Sequence, residues 1–175
     1  MSPLAQVGEQ CLQVRPSSSV HSTILGTRTQ TWPDEAACAA CAEALASRAA
    51  LRDAFVELHG TLGAGKTTFA RHLLRALGAQ GRIKSPTYAV MEPYVLPGLE
   101  AWHFDFYRFK DPQEFEDAGL RDIFASPGLK LAEWPEQADG LLPAPDLRID
   151  LEPLEGDIRR ATFSAFTPRG LELLP

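Results

Sequence analysis

The chain of 175 residues contains no asparagine. An Asn-Lys-x-Asp segment, the guanine-reading element of Ras-like GTPases, therefore cannot exist in it, and no Asp-x-x-Gly occurs either. Cysteine is scarce. Cys11, Cys38 and Cys41 make an odd count that fits a reducing compartment. Long apolar runs are missing, and none approaches the roughly 20 residues needed to cross a membrane. The opening segment MSPLAQVGEQCLQVR has neither an early basic cluster nor an apolar stretch, so no signal peptide is expected and the cytoplasm is the expected compartment. Positive charge is also in deficit, with 17 Lys and Arg against 23 Asp and Glu, a net charge of −6. An acidic surface repels a phosphate backbone, so contact with RNA would need a local basic patch or a partner.

What is present suits a soluble globular domain: 45% hydrophobic and 23% charged residues, in a length that buries a real core. Residues 1–26, with the run Pro-Ser-Ser-Ser at 16–19, read as a flexible N-terminal arm. Residues 27–175 read as a single domain without internal repeat or linker. Residues 27–32 alternate weakly as a short strand, and Pro33-Asp34-Glu35 opens an Ala-rich helix running to about Arg48. Residues 54–59 (AFVELH) are the best strand. After Lys66 the pattern places Phe69, Leu73, Leu74 and Leu77 on one helical face, and Gly78 ends that helix. Residues 83–94 mix a Ser-Pro turn with a strand-like stretch, and residues 102–109 (WHFDFYRF) alternate as a strong strand. A short helix over DPQEFEDAG, a strand at 129–132 and a closing pair of strands at 147–151 and 161–166 complete the order. This succession implies an α/β sheet of mixed direction.

Residues 60–67, GTLGAGKT, match G-x-x-x-x-G-K-[ST] without a gap. Glycines let successive N–H groups turn toward a phosphate. Lys66 can reach β and γ phosphates, the Thr67 hydroxyl can ligate magnesium, and the following helix aims its positive end at the phosphates. A Gly-rich turn with an exposed lysine is the bland alternative. The predicted strand before the motif and the predicted helix after it favour a phosphate-binding loop.

Such a loop needs a carboxylate at the end of a neighbouring strand to hold magnesium. Glu133, directly after the apolar run 129–132, is the leading candidate and Asp105 the second. Alternation sets Trp102, Phe104 and Phe106 against His103, Asp105 and Tyr107. The polar trio is equally a solvated sheet surface or an active-site wall where Asp105 orients or deprotonates a water. Ser85-Pro86-Thr87 stands where many P-loop proteins carry a γ-phosphate switch, though on pattern alone an ordinary turn is the simpler reading. Cys38 and Cys41 share a helix face without further ligands nearby and read as small buried residues. Arg71, Arg75, Arg82 and Lys84 read as a solvated helix face. Without a guanine-reading element, ATP is the expected nucleotide. A small-molecule kinase is an alternative, but the tail offers only Arg148, Arg159, Arg160 and Arg169, which form no lid-like cluster. A nucleotide-gated binding module is a third possibility.

Taken in order, GTLGAGKTT, KSPTY, HFDFYR, EFEDAGLRD and LAEWPEQ resemble the TsaE (YjeE) family of bacterial ATPases over residues of about 27–170. The resemblance implies a P-loop NTPase-like three-layer sandwich with a mixed, mostly parallel central sheet. It implies an ATPase needed to form threonylcarbamoyladenosine in tRNAs that read codons starting with adenine. ATP and Mg²⁺ would be its cofactors, TsaB and TsaD its partners, and tRNA an indirect one through the complex. It implies that Thr67 and Glu133 hold magnesium and that Asp105, Lys66 and Glu133 act in catalysis. Gly60, Gly63, Ala64, Gly65, Lys66, Thr67 and Thr68 would contact the nucleotide together with Thr87 of the switch segment. Trp134 would stand beside it, and Glu35 would lie near its base or ribose. Two departures stand out. Thr61 occupies a position where the family usually has Asp, and Gly156-Asp157-Ile158-Arg159 replaces a frequent Gly-Arg, so no nucleotide contact is carried over there.

Overall fold

The computed structural model describes residues 23–175, so most of the expected arm at 1–26 lies outside the described residues. The elements run β1 (Gly26–Trp32), α1 (Glu35–Ala46), a 3-10 turn (Ala49–Asp53), β2 (Phe55–His59), α2 (Lys66–Ala76), β3 (Met91–Leu96) and β4 (Leu99–Asp105). They continue with α3 (Pro112–Asp117), α4 (Leu120–Ala125), β5 (Leu129–Glu133), a 3-10 turn (Pro135–Ala138), β6 (Leu147–Pro153), β7 (Arg159–Ala165) and α5 (Pro168–Glu172). One seven-stranded sheet has the order β1-β7-β6-β2-β5-β4-β3. Its centre, β6-β2-β5-β4, is parallel, and antiparallel pairings add β7 and β1 at one edge and β3 at the other.

Strand parity sorts the core into two clusters. Val56 and Leu58 of β2, Leu129 and Leu131 of β5 and Ala101 of β4 pack with Phe69, Leu73 and Leu74 of α2 and Cys38 and Ala42 of α1. Phe55, Phe104 and Ala132, one residue out of phase, pack with Phe115 of α3 and Leu120 of α4. Helices therefore cover both faces, giving three layers. Phe69 is fully buried and stacks on Trp32 with ring centroids 5.7 Å apart. Burying a ring of that size stabilises by roughly 1.5–3 kcal/mol, so this contact fixes α2 firmly to the sheet. The caps follow the sequence. Asp34 accepts from Ala37 N at 2.8 Å, and Asp111 accepts from Gln113 N at 2.9 Å with Pro112 opening α3.

Two expectations change and one helix is added. The strand expected over 102–109 stops at Asp105. There Phe106 N donates to Glu133 O at 3.0 Å and Phe109 N to Phe106 O at 2.9 Å, so the chain turns and drops Phe106 and Phe109 into the second cluster. The short helix expected over DPQEFEDAG forms as α3, and a further helix that was not expected, α4, follows it after Gly119, whose φ is +64°. Residues His103 and Asp105 are not a solvated face. Flanked by β3 and β5 and covered on both sides, they are 0% and 3% exposed, whereas Tyr107 leaves the strand and is half exposed.

Candidate functional site

Phosphate-binding geometry begins at the carboxyl end of β2. Gly60 has φ +137°, and a Cβ there would lie 2.4 Å from the Leu151 carbonyl oxygen, so the close approach of the two backbones requires glycine. Gly65, at φ +108°, turns the loop into the amino end of α2. Lys66 is the first residue of that helix and is only 4% exposed. Its Nζ donates to Gly60 O at 2.6 Å and Thr61 O at 2.9 Å and stands 3.8 Å from the centroid of the Trp134 ring. Trp134 reaches it because its backbone adopts φ 56°, turning the chain back directly after β5. Burial pushes the Lys66 ammonium below its ordinary pKa, opposed by the nearby carboxylates of Glu133, Glu136 and Asp105.

Sheet register brings the carboxylates to the same place. Leu58 and Asp105 both lie opposite Glu133 across the parallel pairs β2–β5 and β4–β5. Glu133 shares the parity of Leu129 and Leu131 and so faces α2. Thr67 Oγ1 donates to Glu133 Oε2 at 2.8 Å, and His103 Nε2 donates to Glu133 Oε1 at 2.8 Å. Both oxygens of this buried carboxylate are thereby held.

Asp105 holds the segment after α2. Its Oδ2 accepts from Ser85 Oγ and, at 2.7 Å, from Thr87 Oγ1, while Oδ1 accepts from Tyr107 N at 2.9 Å. The backbone closes the same clasp, with Asp105 N donating to Val90 O at 2.9 Å. A carboxylate offers about four lone-pair sites, so one remains on Oδ1.

Two adjoining cavities result. One of about 240 Å³ is lined by Gly63, Ala64, Gly65, Lys66, Thr67 and Thr68 from the loop and by Thr87, Asp105, Glu133 and Trp134 from the opposing elements. A second, of about 310 Å³, shares Gly63, Ala64, Gly65 and Thr68 and extends to Trp32, Asp34, Glu35, Cys38, Asp157 and Arg159. Glu35 sits in its wall and accepts from His72 Nε2 at 2.9 Å. A glycine-rich loop leading into a helix amino end, with an ammonium beside it, has the chemistry to take an anion such as a phosphate, and the adjoining roomier cavity has space for a larger group attached to it.

Comparisons with known proteins give the family. Residues 32–161 match the family described as threonylcarbamoyl adenosine biosynthesis protein TsaE. The chain belongs to the TsaE family. A relative from Haemophilus influenzae, named tRNA threonylcarbamoyladenosine biosynthesis protein TsaE, is 41% identical over 119 residues, covering 68% of this chain and 75% of its own. One of the same name from Bacillus subtilis is 38% identical over 108 residues, covering 62% and 67%. The crystal structure of Bacillus subtilis YdiB superposes with a TM-score of 0.71 at 27% identity, covering 87% of this chain and 94% of that one. The expected P-loop NTPase-like α/β fold is thus borne out.

Every loop residue that the resemblance assigned to the nucleotide lies on the first cavity except Gly60, which stands behind it and supplies a carbonyl to Lys66. Thr61, the departure from the family pattern, contributes only its carbonyl, and its side chain is exposed. Asp157 and Arg159, for which no contact was carried over from the sequence, line the second cavity; β1–β7 pairing sets Arg159 opposite Trp32, just before Asp34 and Glu35. His103 was legible only as one of a polar trio; its partnership with Glu133 depends on register. Cys38 and Cys41 are buried and half-buried free thiols, as expected, and burial pushes them up to about 12 and about 11. Among the described residues no group of three His, Cys, Asp or Glu could hold a metal by itself. The Thr67–Glu133 oxygen pair nonetheless fits magnesium, which is commonly held by one or two carboxylates plus substrate phosphates. No helix among the described residues is long and apolar enough to cross a membrane.

Proposed function

We propose that this chain is an ATP-binding and ATP-hydrolysing component of the machinery that forms threonylcarbamoyladenosine in tRNAs reading codons that start with adenine. One observation carries the nucleotide part: Lys66, Thr67, Glu133 and Asp105, distant in sequence, converge on one cavity at the carboxyl ends of β2, β4 and β5. The pathway is supported by the family and by the names of its relatives. Residues 27–175 act as one domain in the cytoplasm.

In this reading Thr67 and Glu133 hold magnesium, which when bound neutralises charge on the β and γ phosphates. The loop N–H groups from Gly63 to Thr68 and the Lys66 ammonium bind the phosphate oxygens. Glu35, with Asp157 and Arg159, borders the base and ribose, and Trp134 shields Lys66. Asp105 orients a water and takes its proton as the water oxygen bonds to the γ-phosphorus and the bond to ADP breaks, yielding ADP and phosphate. Because Asp105 also clasps Ser85 and Thr87, occupation by ATP or by ADP alters residues 85–90. Partner proteins, TsaB and TsaD, read that change, and hydrolysis cycles the complex; tRNA is met indirectly through them.

The test measures phosphate release from ATP by the full chain alone and with TsaB and TsaD from the same host. Slow intrinsic hydrolysis that rises with the partners supports the reading. Phosphate transferred to a metabolite at an enzyme-like rate instead of to water identifies a small-molecule kinase and overturns it.

A further inference from the structure

Arg71 and Arg75 of α2 and Arg82 and Lys84 of the following segment line one cavity of about 480 Å³, together with Thr67 and Ser85. The sequence suggests a solvated helix face for these four, yet only two of them lie on α2; two elements meet to make a concave wall. Arg75, Arg82 and Lys84 are exposed. Elsewhere Arg121, Arg148, Arg160 and Arg169 each hold a carboxylate. Among the described residues none of the four cavity cations has a carboxylate within 4.0 Å, and the side-chain bond of Arg71 goes to Ile83 O. In a chain of net charge −6 this is a concentrated, uncompensated positive site. Like charges one helical turn apart repel, and an anionic occupant relieves that repulsion.

The neighbouring surface decides which anion. Thr67 and Ser85 belong both to this cavity and to the phosphate cavity, so the two are contiguous. Leu62, which lines the adjoining cavity with Thr67 and Ser85, is 75% exposed, and Tyr88, three residues after Ser85, is 85% exposed, with the Arg108 guanidinium 4.5 Å from its ring centroid. Aromatic side chains and arginines are enriched where proteins dock on one another. RNA could stack on Tyr88, but Leu62 offers no stacking face, and an extended phosphate backbone reaches past the cavity onto the acidic remainder of the surface, whereas a short acidic segment stays within it. We propose that the cavity formed by Arg71, Arg75, Arg82 and Lys84 docks an acidic segment of a partner protein whose adjoining apolar surface covers Leu62 and Tyr88. The proposal deepens the partner-assisted reading above, on which it rests for the existence of a partner, and names the chemistry of that partner's contact. Through Thr67 and Ser85 the docked segment touches the residues that border the nucleotide phosphates.

The test uses the full chain and a fluorescein-labelled peptide of glutamate interspersed with leucine, read by anisotropy. A single-stranded RNA oligonucleotide of equal formal charge is titrated in parallel. The expected result is peptide binding that weakens at least about tenfold in Arg75→Glu/Arg82→Glu, falls with added salt and exceeds RNA binding. Peptide affinity unchanged by the charge reversal, or no peptide binding, overturns the proposal. RNA binding as tight as peptide binding also overturns it and marks a nucleic-acid surface. ATP affinity is measured on the same samples and stays unchanged in the variant, which shows that it is folded. Loss of ATP binding in the parent chain would refute the nucleotide reading while leaving the peptide result to stand.

Discussion

His103 Nε2 lies 2.8 Å from Glu133 Oε1, with His103 fully buried and Glu133 1% exposed. The carboxylate needs a donor, so Nε2 carries a hydrogen, and Nδ1 has no partner among the described residues. Glu133 Oε2 meanwhile accepts from Thr67. The histidine thus fixes one oxygen of the carboxylate and leaves the other toward Thr67, an arrangement that would orient Glu133 for the magnesium role proposed above.

Replacing that histidine tests whether it positions or merely fills. His103→Leu leaves a buried carboxylate oxygen without a donor, at a cost of roughly 1–3 kcal/mol in stability. It also raises the magnesium concentration needed for ATP binding by about 10- to 100-fold. His103→Gln, which keeps a donor, restores part of the magnesium response. A lower melting temperature with an unchanged magnesium titration would reduce His103 to a packing role.

Lys66→Ala removes the ammonium that the loop holds 3.8 Å above Trp134. Loss of a charge-assisted phosphate contact amounts to roughly 1.5–3 kcal/mol, or about 10- to 150-fold in ATP affinity. Calorimetric titration with ATP and magnesium measures it directly. Equal affinity in the variant would remove Lys66 from the phosphate site.

Asp105→Asn separates clasp from chemistry. Nucleotide binding persists, hydrolysis slows by about 10²- to 10⁴-fold, and amide hydrogen exchange quickens at residues 85–90 as the Ser85 and Thr87 hydroxyls lose a charged acceptor. Single-turnover hydrolysis and exchange mass spectrometry read the two effects. Normal hydrolysis with faster exchange would leave Asp105 a structural clasp only.

The thiols make a pH prediction. Folding raises Cys38 from 9.0 to about 12, chiefly by burial, and Cys41 to about 11. The unfolded thiols ionise near 9.0 while the folded ones keep their protons, so their contribution to stability is complete below pH 9 and is lost as pH rises toward 11–12. In a Cys11→Ser background, labelling of the folded chain at pH 8 is at least about 100-fold slower than for a free thiol. A Cys38→Ala/Cys41→Ala variant loses less stability than its parent between pH 9 and 11. Rapid labelling at pH 8 would contradict the packing of α1 on α2.

The parts of the site that were legible in the sequence are those set by neighbours along the chain. The P-loop is one contiguous segment between a strand and a helix. Glu133 was visible because an apolar run of strand length ends on it. The side chain of Asp105 was visible but its surroundings were not, because burial of β4 on both faces depends on β3 and β5 pairing beside it. The clasp to Ser85 and Thr87 spans 20 and 18 residues, and the His103–Glu133 bond needs the β4–β5 register, which no local pattern encodes. Asp157 and Arg159 reach the second cavity through the antiparallel β1–β7 pairing, which sets Arg159 opposite Trp32. The end of β4 was missed because the alternation of aromatic and polar residues continues through Phe109, although Phe106 and Phe109 are buried by a turn rather than by a strand.

Threonylcarbamoyladenosine content of tRNA is the measurement that bears most directly on the central claim. Host cells depleted of the chain are complemented with the parent or with Glu133→Ala, and the nucleoside is quantified by mass spectrometry. Loss on depletion, restoration by the parent and failure of the variant are the predicted outcome. Unchanged threonylcarbamoyladenosine on depletion would contradict the account.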